Sequence, residues 1–379
     1  MDFDYVVVGA GFAGSVCAER LARAHGRRVL VVERRGHVGG NAHDRRDAHG
    51  ILVHPYGPHI FHTRIAEVWS YLSRFTEWRA YSHRVLGVVD GARVPLPFNL
   101  SSLHALFPRA AAERIEGALV RRFGTGSRVP ILELQGEGDP DLKMLADYVY
   151  EKVFLHYSVK QWGLAPEELS PAVTGRVPVV VSRDDRYFSD PWQGLPADGY
   201  SAMFARMLAH PNIEVLLNTD YGKVAGELKP RALIYTGMVD EFFGARYGPL
   251  PYRSLEFRFE NLPVASFQDA AVVNYPNDFA YTRITEYKKL TGQEASSTTI
   301  AYEYPRPRGQ ESDEPYYPIP RETNDAMRAR YREEADRVSP AVRFVGRLAE
   351  YAYMDMDQTV ASALRCVEEL EGKPGSPSE

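Results

Sequence analysis

Short apolar runs alternate with a helical segment at the start of the chain. Residues 5–8 (Tyr-Val-Val-Val) form an uninterrupted run rich in β-branched residues, which is typical of a strand buried on both faces of a parallel sheet. Residues 15–25 place apolar side chains at helical spacing, and Gly26 follows as a natural helix end. Residues 28–33 (Arg-Val-Leu-Val-Val-Glu) then predict a second strand, which ends at Glu33. The pattern predicts a strand–helix–strand unit that opens an α/β fold.

The rest of the chain changes character twice. Residues 100–165 show helical periodicity, which predicts an inserted helical bundle. Asp90-Gly91 lies between two strand-like runs and predicts a hairpin, and residues 250–305 alternate as antiparallel strands do. We therefore expect a Rossmann-like domain formed by residues 1–80, 199–237 and 338–379, a helical domain at 100–165, and an antiparallel β-sheet substrate domain formed by 81–99, 166–198 and 238–337.

Glycines between the first strand and the first helix carry the first chemical signal. Gly9, Gly11 and Gly14 have the spacing of a dinucleotide-binding turn, in which bare backbone approaches a pyrophosphate at a helix N-terminus. Glu33 lies 33 − 14 = 19 residues after Gly14, where its carboxylate can bind both hydroxyls of an adenosine ribose. Because NAD and FAD share that ribose, Glu33 does not distinguish them.

A second glycine motif separates the two cofactors. Gly39-Gly40-Asn41 follows the second strand and resembles the second glycine motif of FAD-dependent oxidoreductases and amine oxidases. A plain turn with an Asn cap is the alternative interpretation. The two motifs together predict that the Rossmann-like domain binds FAD.

Composition excludes several other classes of protein. With 379 residues and a formal net charge of −5, the chain has no basic excess that would favour nucleic acid as a partner. No apolar stretch reaches the roughly 20 residues that a membrane span requires. Cys17 and Cys366 are far apart, and no signal peptide is recognisable, so we expect a cytoplasmic protein. The 23 tyrosines suit nucleobases, sugars and flavins, although core packing would account for most of them.

Ordered motifs along residues 3–372 make the chain resemble the prokaryotic UDP-galactopyranose mutases. The matching stretches include HPYGPHIFHT at 54–63, KQWG at 160–163, YRSL at 252–255, NDFAYTRITEYK at 277–288 and VGRLAEYAYMDMDQ at 345–358. The resemblance implies interconversion of UDP-galactopyranose and UDP-galactofuranose on reduced FAD, without net redox change. In this family, flavin N5 is thought to attack the anomeric carbon and displace UDP, giving an adduct that opens to an iminium and recloses through the O4 hydroxyl.

The same resemblance implies which residues act on the substrate. Arg176 and Arg283 would hold the diphosphate and neutralise the leaving UDP, and in the family Arg176 sits on a mobile loop that closes over substrate. His59 would lie beside the flavin. The other substrate-binding residues implied are Tyr187, Tyr317 and Tyr353 at the diphosphate, Asp355 near the phosphates and sugar, Tyr157 against uracil, Trp162 in the cleft wall and Asn274 on the uridine side.

The cofactor residues come from separate segments of the chain. They are Gly9, Gly11, Phe12, Ala13, Gly14, Glu33, Arg34, Gly40, Asn41, Gly346, Arg347, Met356, Asp357 and Gln358. Asp357 is expected to cap the last helix, whose N-terminal amides would face the cofactor, and capping alone is the alternative role. By analogy with the family, we expect NAD(P)H as the reductant and a homo-oligomer.

Three closely spaced histidines suggest a metal site at first sight. His54, His59 and His62 are dense enough for ligation, but no cysteine accompanies them and the nearest acid is distant in sequence, so no metal is predicted.

Five positions depart from the residues we expect in the family. They are Arg64, Val180, Ala280, Val345 and Ala352. None removes a residue assigned to phosphate or flavin chemistry, but Arg64 and Val180 leave open a related nucleotide sugar as substrate. Two further alternatives are an FAD-dependent oxidoreductase that shares the first 45 residues, such as an amine oxidase or desaturase, and a non-catalytic sensor of nucleotide sugars.

Overall fold

A parallel sheet of five strands forms the core of the first layer in the computed structural model, which describes residues 3–170, 178–309, 313–319 and 321–372. Its strand order is Ile213–Leu216, Val29–Val32, Tyr5–Val8, Ala232–Tyr235 and Val342–Phe344. Every neighbouring pair is parallel, and the three central strands are almost entirely buried, as a sheet covered on both faces requires. The predicted α/β class with a Rossmann-like unit is confirmed.

Two helices from opposite ends of the chain cover one face of this sheet. Phe12–His25 packs against the terminal helix Met356–Glu371, and both share a core with Val7 and Val31. The first helix begins at Phe12, earlier than predicted, because residues 12–14 of the glycine-rich motif are already helical and Phe12 and Ala13 pack into the core. It ends at Gly26, whose φ of 66° confirms the predicted left-handed stop.

The predicted helical module lies between residues 100 and 168. Its segments are Leu100–Leu106, Arg109–Phe123, Ile131–Gln135, Pro140–Val149, the π-helical stretch Tyr150–Leu155, His156–Trp162 and the 3₁₀ turn Pro166–Glu168. Asp139 caps Pro140–Val149 by accepting hydrogen bonds from the amides of Asp141 and Leu142. The module shares an apolar core with the hairpin that follows residue 84.

A seven-stranded sheet forms the second layer. Its order is Tyr317–Pro318, Tyr252–Leu262, Thr298–Pro307, Arg283–Glu286, Val272–Asn274, Val85–Val89 and Ala92–Leu96. All neighbouring pairs are antiparallel except Val272–Asn274 with Val85–Val89. The predicted hairpin is confirmed, with positive φ angles of 46° at Asp90 and 80° at Gly91.

A three-stranded sheet places Trp192–Pro196 between Phe61–Thr63 and Trp78–Ala80. Part of the segment 166–198, which the sequence assigned to the β-sheet domain, therefore pairs with strands that precede residue 81. Two short strand pairs are Arg45–Arg46 with Leu52–Val53 and Arg128–Val129 with Val179–Val180. The other helices are Ala66–Leu72, Tyr200–Leu208, Tyr221–Val224, Val239–Phe242, Tyr287–Thr291 and Glu322–Val338, and the other 3₁₀ turns are Gly40–Ala42 and Ala225–Glu227. No helix in these described ranges is both long enough and apolar enough to cross a bilayer.

Candidate active site

A cavity of about 470 Å³ opens at the carboxyl edge of the parallel sheet. Residues that directly follow four of its strands line the cavity, which is where doubly wound folds place their ligands. The predicted cofactor residues in its wall are Gly9, Gly11, Phe12, Ala13, Glu33, Arg34, Gly40, Asn41, Gly346, Arg347 and Met356. The structure therefore brings two segments near the start of the chain together with a third that lies more than three hundred residues later in sequence.

Bare backbone forms the floor of this cavity. A Cβ on Gly40 would lie 3.0 Å from the Cα of Gly11, so the two predicted glycine motifs touch each other through main chain alone. Gly9 has a φ of 98°, and a Cβ there would meet Thr236 Oγ1 at 2.2 Å. Backbone amides at such a turn can approach a pyrophosphate closely, so the site fits a dinucleotide cofactor.

Glu33 is buried at the rim of the same cavity. Its Oε2 accepts a hydrogen bond from the amide of Ala10 at 2.8 Å, and its Oε1 accepts one from the amide of Arg35 at 2.9 Å. An ionised carboxylate has about four acceptor positions, so each oxygen can still accept a ribose hydroxyl. The two amides fix the orientation of the carboxylate in advance.

Three predicted cofactor residues lie outside the cavity wall. Gly14 packs against the first strand, where a Cβ would come within 1.9 Å of the Gly9 carbonyl oxygen. The prediction that Asp357 caps the terminal helix is wrong: the N-cap is Asp355, whose amide donates to Gln358 Oε1 at 3.0 Å. Asp357 lies inside the first turn, where its Oδ1 accepts from the Gln358 amide at 2.7 Å and its Oδ2 accepts from Thr63 Oγ1 at 2.9 Å. The helix begins one residue before Asp357, which turns that side chain towards the strand Phe61–Thr63.

A second cavity of about 190 Å³ adjoins the first, and both are lined by Asn41, His59, Tyr316, Arg347 and Met356. The predicted substrate or catalytic residues in its wall are His59, Tyr157, Tyr187, Asn274, Arg283, Tyr317, Tyr353 and Asp355. Trp162 is not in the wall. It is buried behind two of the wall residues, with ring centroids 5.9 Å from Tyr317 and 5.6 Å from Tyr353. Arg176 lies outside the described residues.

Arg283 is the cation at the centre of the second cavity wall. Its Nη2 donates to the Tyr157 hydroxyl at 2.8 Å, and its Nε lies 3.2 Å from Glu303 Oε1. Burial is the largest single effect and opposes the charge of Arg283, but the combined attraction of Glu303 and the neighbouring tyrosine oxygens exceeds it, so the pKa of the guanidinium is raised. About a quarter of the side chain stays exposed (25%) towards the cavity, so a charged fork remains available to an anion.

Phenol hydroxyls surround this cation. Burial raises the pKa values of Tyr157 and Tyr317 above that of free tyrosine, so both keep their protons at neutral pH and can donate hydrogen bonds. Arg347 adds a second cation at the junction of the cavities, held by hydrogen bonds to the Met354 carbonyl oxygen at 2.6 Å and 3.1 Å. The arrangement is a cluster of donors suited to a bound diphosphate.

Sequence reasoning missed several wall residues. Glu303, His83, Phe188 and Tyr316 line the second cavity, and Glu303 and Tyr316 stand within or beside the aromatic motifs of the last strands. Glu303 lies in a strand of alternating polar and apolar residues, where a carboxylate is expected to face solvent. The local sequence therefore does not predict its pairing with Arg283. Asn274 was predicted, and its Oδ1 is buried without a hydrogen-bond partner among the described residues, which leaves an acceptor for a ligand.

The buried histidines are held neutral. Burial lowers the pKa of His54 to about 4, and that of His59 and His83 to about 3. His59 Nδ1 lies 2.8 Å from the Gly57 carbonyl oxygen, so Nδ1 carries the proton and donates to it. His54 and His62 bind other groups, and the described part of the chain holds no cluster of three metal-binding side chains.

These histidines predict an acid-sensitive fold. Their unfolded pKa is about 6.5, so below that pH the unfolded chain binds protons that the folded chain does not, and stability falls as pH falls. We expect each histidine to cost about 2 kcal/mol of unfolding free energy between pH 7 and pH 5. Urea unfolding at both pH values should show a smaller loss for His83→Gln than for the natural chain. An equal loss in both proteins would contradict the assignment.

The five departures from the family pattern occupy different settings. Arg64 pairs with Asp190 at 2.6 Å, and Asp190 also binds His62, which lines the second cavity. Val345 lines the first cavity, whereas Val180 is buried in the strand pair with Arg128–Val129. Ala280 is exposed, and nothing in the structure explains Ala352. Of the five, Arg64 is the residue whose side-chain contacts extend through Asp190 and His62 to the second cavity.

Comparison with known proteins gives one consistent family. The sequence model of the UDP-galactopyranose mutase family matches residues 152–353, and a model of NAD(P)-binding Rossmann-like domains matches residues 7–75. The chain is 38% identical to a probable UDP-galactopyranose mutase of Klebsiella pneumoniae, over 96% of this chain and 94% of the relative. It is also 32% identical to a dTDP-fucopyranose mutase of Escherichia coli, over 96% and 97% of the two chains.

A solved structure agrees with this fold. The crystal structure of a reduced UDP-galactopyranose mutase superimposes with a TM-score of 0.73, at 16% sequence identity, over 98% of this chain and 94% of that one. At 16% identity this structural similarity supports the fold alone, whereas the sequence relatives at 32–38% identity support membership of the family.

Proposed function

Because the chain belongs to the UDP-galactopyranose mutase family of isomerases, we propose that it interconverts UDP-galactopyranose and UDP-galactofuranose with FAD bound in its reduced form. The observation that supports this most directly is the junction of the two cavities. A cavity whose floor is glycine backbone meets a smaller cavity lined by Arg283 and six tyrosines. A flavin ring at the junction would face the sugar of a bound UDP-hexose.

The residues present fit FAD in the larger cavity. Gly11 and Gly40 would hold the pyrophosphate against bare backbone, Glu33 would bind the adenosine ribose, and Gly346, Arg347 and Met356 would contact the flavin end. Reduced FAD supplies the nucleophile, N5, for the anomeric carbon of the sugar. Gly14 contributes by packing the helix whose N-terminus faces the cofactor.

In the smaller cavity the protein's own side chains bind and orient the substrate. Arg283 would hold the diphosphate and neutralise the charge that develops on leaving UDP. Tyr187, Tyr317 and Tyr353 would donate hydroxyls to the phosphates, while Tyr157 and Asn274 would contact the uridine end. Asp355 would lie near the sugar, and Trp162 would hold Tyr317 and Tyr353 in place. Arg176 is proposed as the second diphosphate cation from the family resemblance alone.

We also propose NAD(P)H as the reductant of the bound flavin and a homo-oligomer as the assembly of the protein. A cytoplasmic location agrees with Cys17 and Cys366, which are both buried free thiols.

A second substrate deserves a direct test, because a relative named dTDP-fucopyranose mutase is 32% identical to this chain. Arg64 pairs with Asp190, which also binds His62 in the wall of the smaller cavity, and this connection is the route by which we propose that the departure acts on sugar choice. The competing substrate is therefore dTDP-fucopyranose.

Turnover should depend strictly on reduction. We expect purified holoprotein treated with dithionite to convert UDP-galactofuranose to UDP-galactopyranose, resolved by chromatography, and the oxidised protein to convert almost none. Parallel reactions with dTDP-fucopyranose compare the two substrates, and NAD(P)H in place of dithionite tests the reductant. Stoichiometric oxidation of the sugar would support an oxidoreductase instead, and binding without conversion would support a sensor.

A further inference from the structure

Lys160 binds three backbone carbonyl groups of one loop. It stands near the end of the helix His156–Trp162, and its Nζ donates to the carbonyl oxygens of Phe279 at 2.9 Å, Tyr281 at 3.2 Å and Tyr275. An ammonium has three N–H donors, so the three carbonyl oxygens of the loop accept all the hydrogen bonds that Lys160 can donate. No function described so far uses this residue, although it opens the KQWG motif.

The loop that Lys160 holds connects two residues of the substrate cavity. Residues 275–282 join the strand Val272–Asn274 to the strand Arg283–Glu286, so Asn274 and Arg283 stand at its two ends. The helix on the other side carries Tyr157, whose hydroxyl accepts from Arg283 Nη2 at 2.8 Å. The ammonium therefore connects the helix and the loop that carry these wall residues, without itself lining the cavity.

The helix end has an anchor of its own. Arg253 donates to the carbonyl oxygens of Gln161 at 2.9 Å and Lys160 at 3.0 Å. Among the described residues, the loop makes one further hydrogen bond to the helical module, from Asn277 Nδ2 to the Lys152 carbonyl oxygen at 2.9 Å. Loss of the Lys160 ammonium would release the loop while the helix stays in place.

We propose that Lys160 is a positioning residue that fixes the 275–282 loop against the helix and thereby sets Arg283 and Asn274 for UDP binding. The inference rests on the proposed function in that the bound diphosphate belongs to a nucleotide sugar. Lys160 lines neither cavity, so it acts on UDP binding through Arg283 and not by contact with substrate or cofactor.

The charge of Lys160 can change in an accessible pH range. Burial lowers its pKa to about 8, and Asp278 of the same loop is the anion among the described residues that raises it. The other titratable residues in contact with Lys160 are Tyr275 and Tyr281, through their carbonyl oxygens, and Arg253, which donates to the Lys160 carbonyl oxygen. Burial raises the pKa of Tyr275, and that of Tyr281 to about 12, so both phenols stay neutral in this range. Deprotonation removes one donor and the positive charge, so the loop should loosen as pH rises through about 8.

Binding of UDP to the oxidised holoprotein tests this without any turnover. Calorimetry from pH 6.5 to 9.5 should show the natural chain losing affinity above about pH 8. Lys160→Met should bind UDP about tenfold more weakly at pH 7 and lack the alkaline loss. Lys160→Arg, which keeps its charge, should retain most of the affinity and also lack that loss. In turnover assays the Met variant should raise KM more than it lowers kcat, with unchanged flavin content.

Lys288 provides a matched control. Its buried ammonium also binds backbone carbonyls, those of Ala295 at 2.6 Å and Ser297 at 3.0 Å, but it lines neither cavity. Lys288→Met should lower thermal stability and leave UDP affinity and its pH dependence as they are. The proposal is overturned if Lys160→Met keeps the alkaline loss, or if both Met variants weaken UDP binding equally. Absence of sugar conversion with these UDP results would reject the proposed reaction alone.

Discussion

Replacing Arg283 with Ala is expected to slow conversion of UDP-galactofuranose by about 10³-fold, because one charged donor at a developing anion is worth that order of rate. The guanidinium lies in the wall of the second cavity, and its hydrogen bond to Tyr157 and ion pair with Glu303 hold its orientation. The protein should still be purified with its yellow chromophore, since Arg283 does not line the cofactor cavity. Rates under dithionite and the flavin absorbance measure the two effects separately.

Removal of Arg283 also leaves Glu303 buried without its cation, and a broken buried pair costs about 3–5 kcal/mol. Arg283→Ala combined with Glu303→Gln removes that unpaired charge and should recover stability without recovering turnover. Arg258→Ala is the control on the same sheet, because that arginine is exposed and pairs only with Glu256 among the carboxylates described. Near-normal turnover in Arg283→Ala would remove the diphosphate assignment.

The elements that sequence predicted best are those whose geometry is decided locally. Gly9, Gly11 and Gly14 specify a turn through their missing side chains, and Asp90-Gly91 specifies a hairpin through positive φ angles. Neither feature depends on distant packing, so spacing and residue type were sufficient to predict both.

The cap of the terminal helix shows where the prediction failed. Asp355 and Asp357 are both good capping residues, and the prediction overlooked that Gln358, three residues after Asp355, gives Asp355 the spacing of a capping box. In the structure Thr63 Oγ1 donates to Asp357 Oδ2, a contact across 294 residues that no local pattern contains. The capping box therefore sets the start of the helix locally, whereas the contact of Asp357 with Thr63 appears only in the folded chain.

The substrate cavity depends even more on distant pairings. Tyr157 comes from the helical module, Arg283 from the mixed sheet and His59 from a loop of the first layer. Periodicity predicts each element but not their meeting point, so these residues were assigned through the family resemblance. Trp162 illustrates the remaining gap, because only the packed structure shows that it stands behind the tyrosines rather than in the wall.

Gly14→Ala is expected to abolish flavin binding and to prevent normal folding. The added Cβ would stand 1.9 Å from the Gly9 carbonyl oxygen and 3.1 Å from Val7 Cγ1, and neither the turn nor the buried strand can retreat without breaking the sheet. Over-packing of a core costs about 1–3 kcal/mol even where side chains can move, and here the obstacle is backbone. The ratio of flavin to protein and the thermal midpoint would measure the loss.

Substitutions at two other glycines distinguish a loss of folding from a loss of cofactor binding. A Cβ on Gly11 would meet nothing in the protein closer than Gly40 Cα at 3.6 Å, so Gly11→Ala should fold. It should nevertheless bind FAD more weakly, because the methyl group would occupy the space where bare backbone meets the pyrophosphate. Gly226→Ala has no neighbour within 4 Å and should match the natural chain in both measurements. A yellow, normally melting Gly14→Ala protein would show that the first helix does not depend on this close approach, and a fully loaded Gly11→Ala protein would place the pyrophosphate elsewhere.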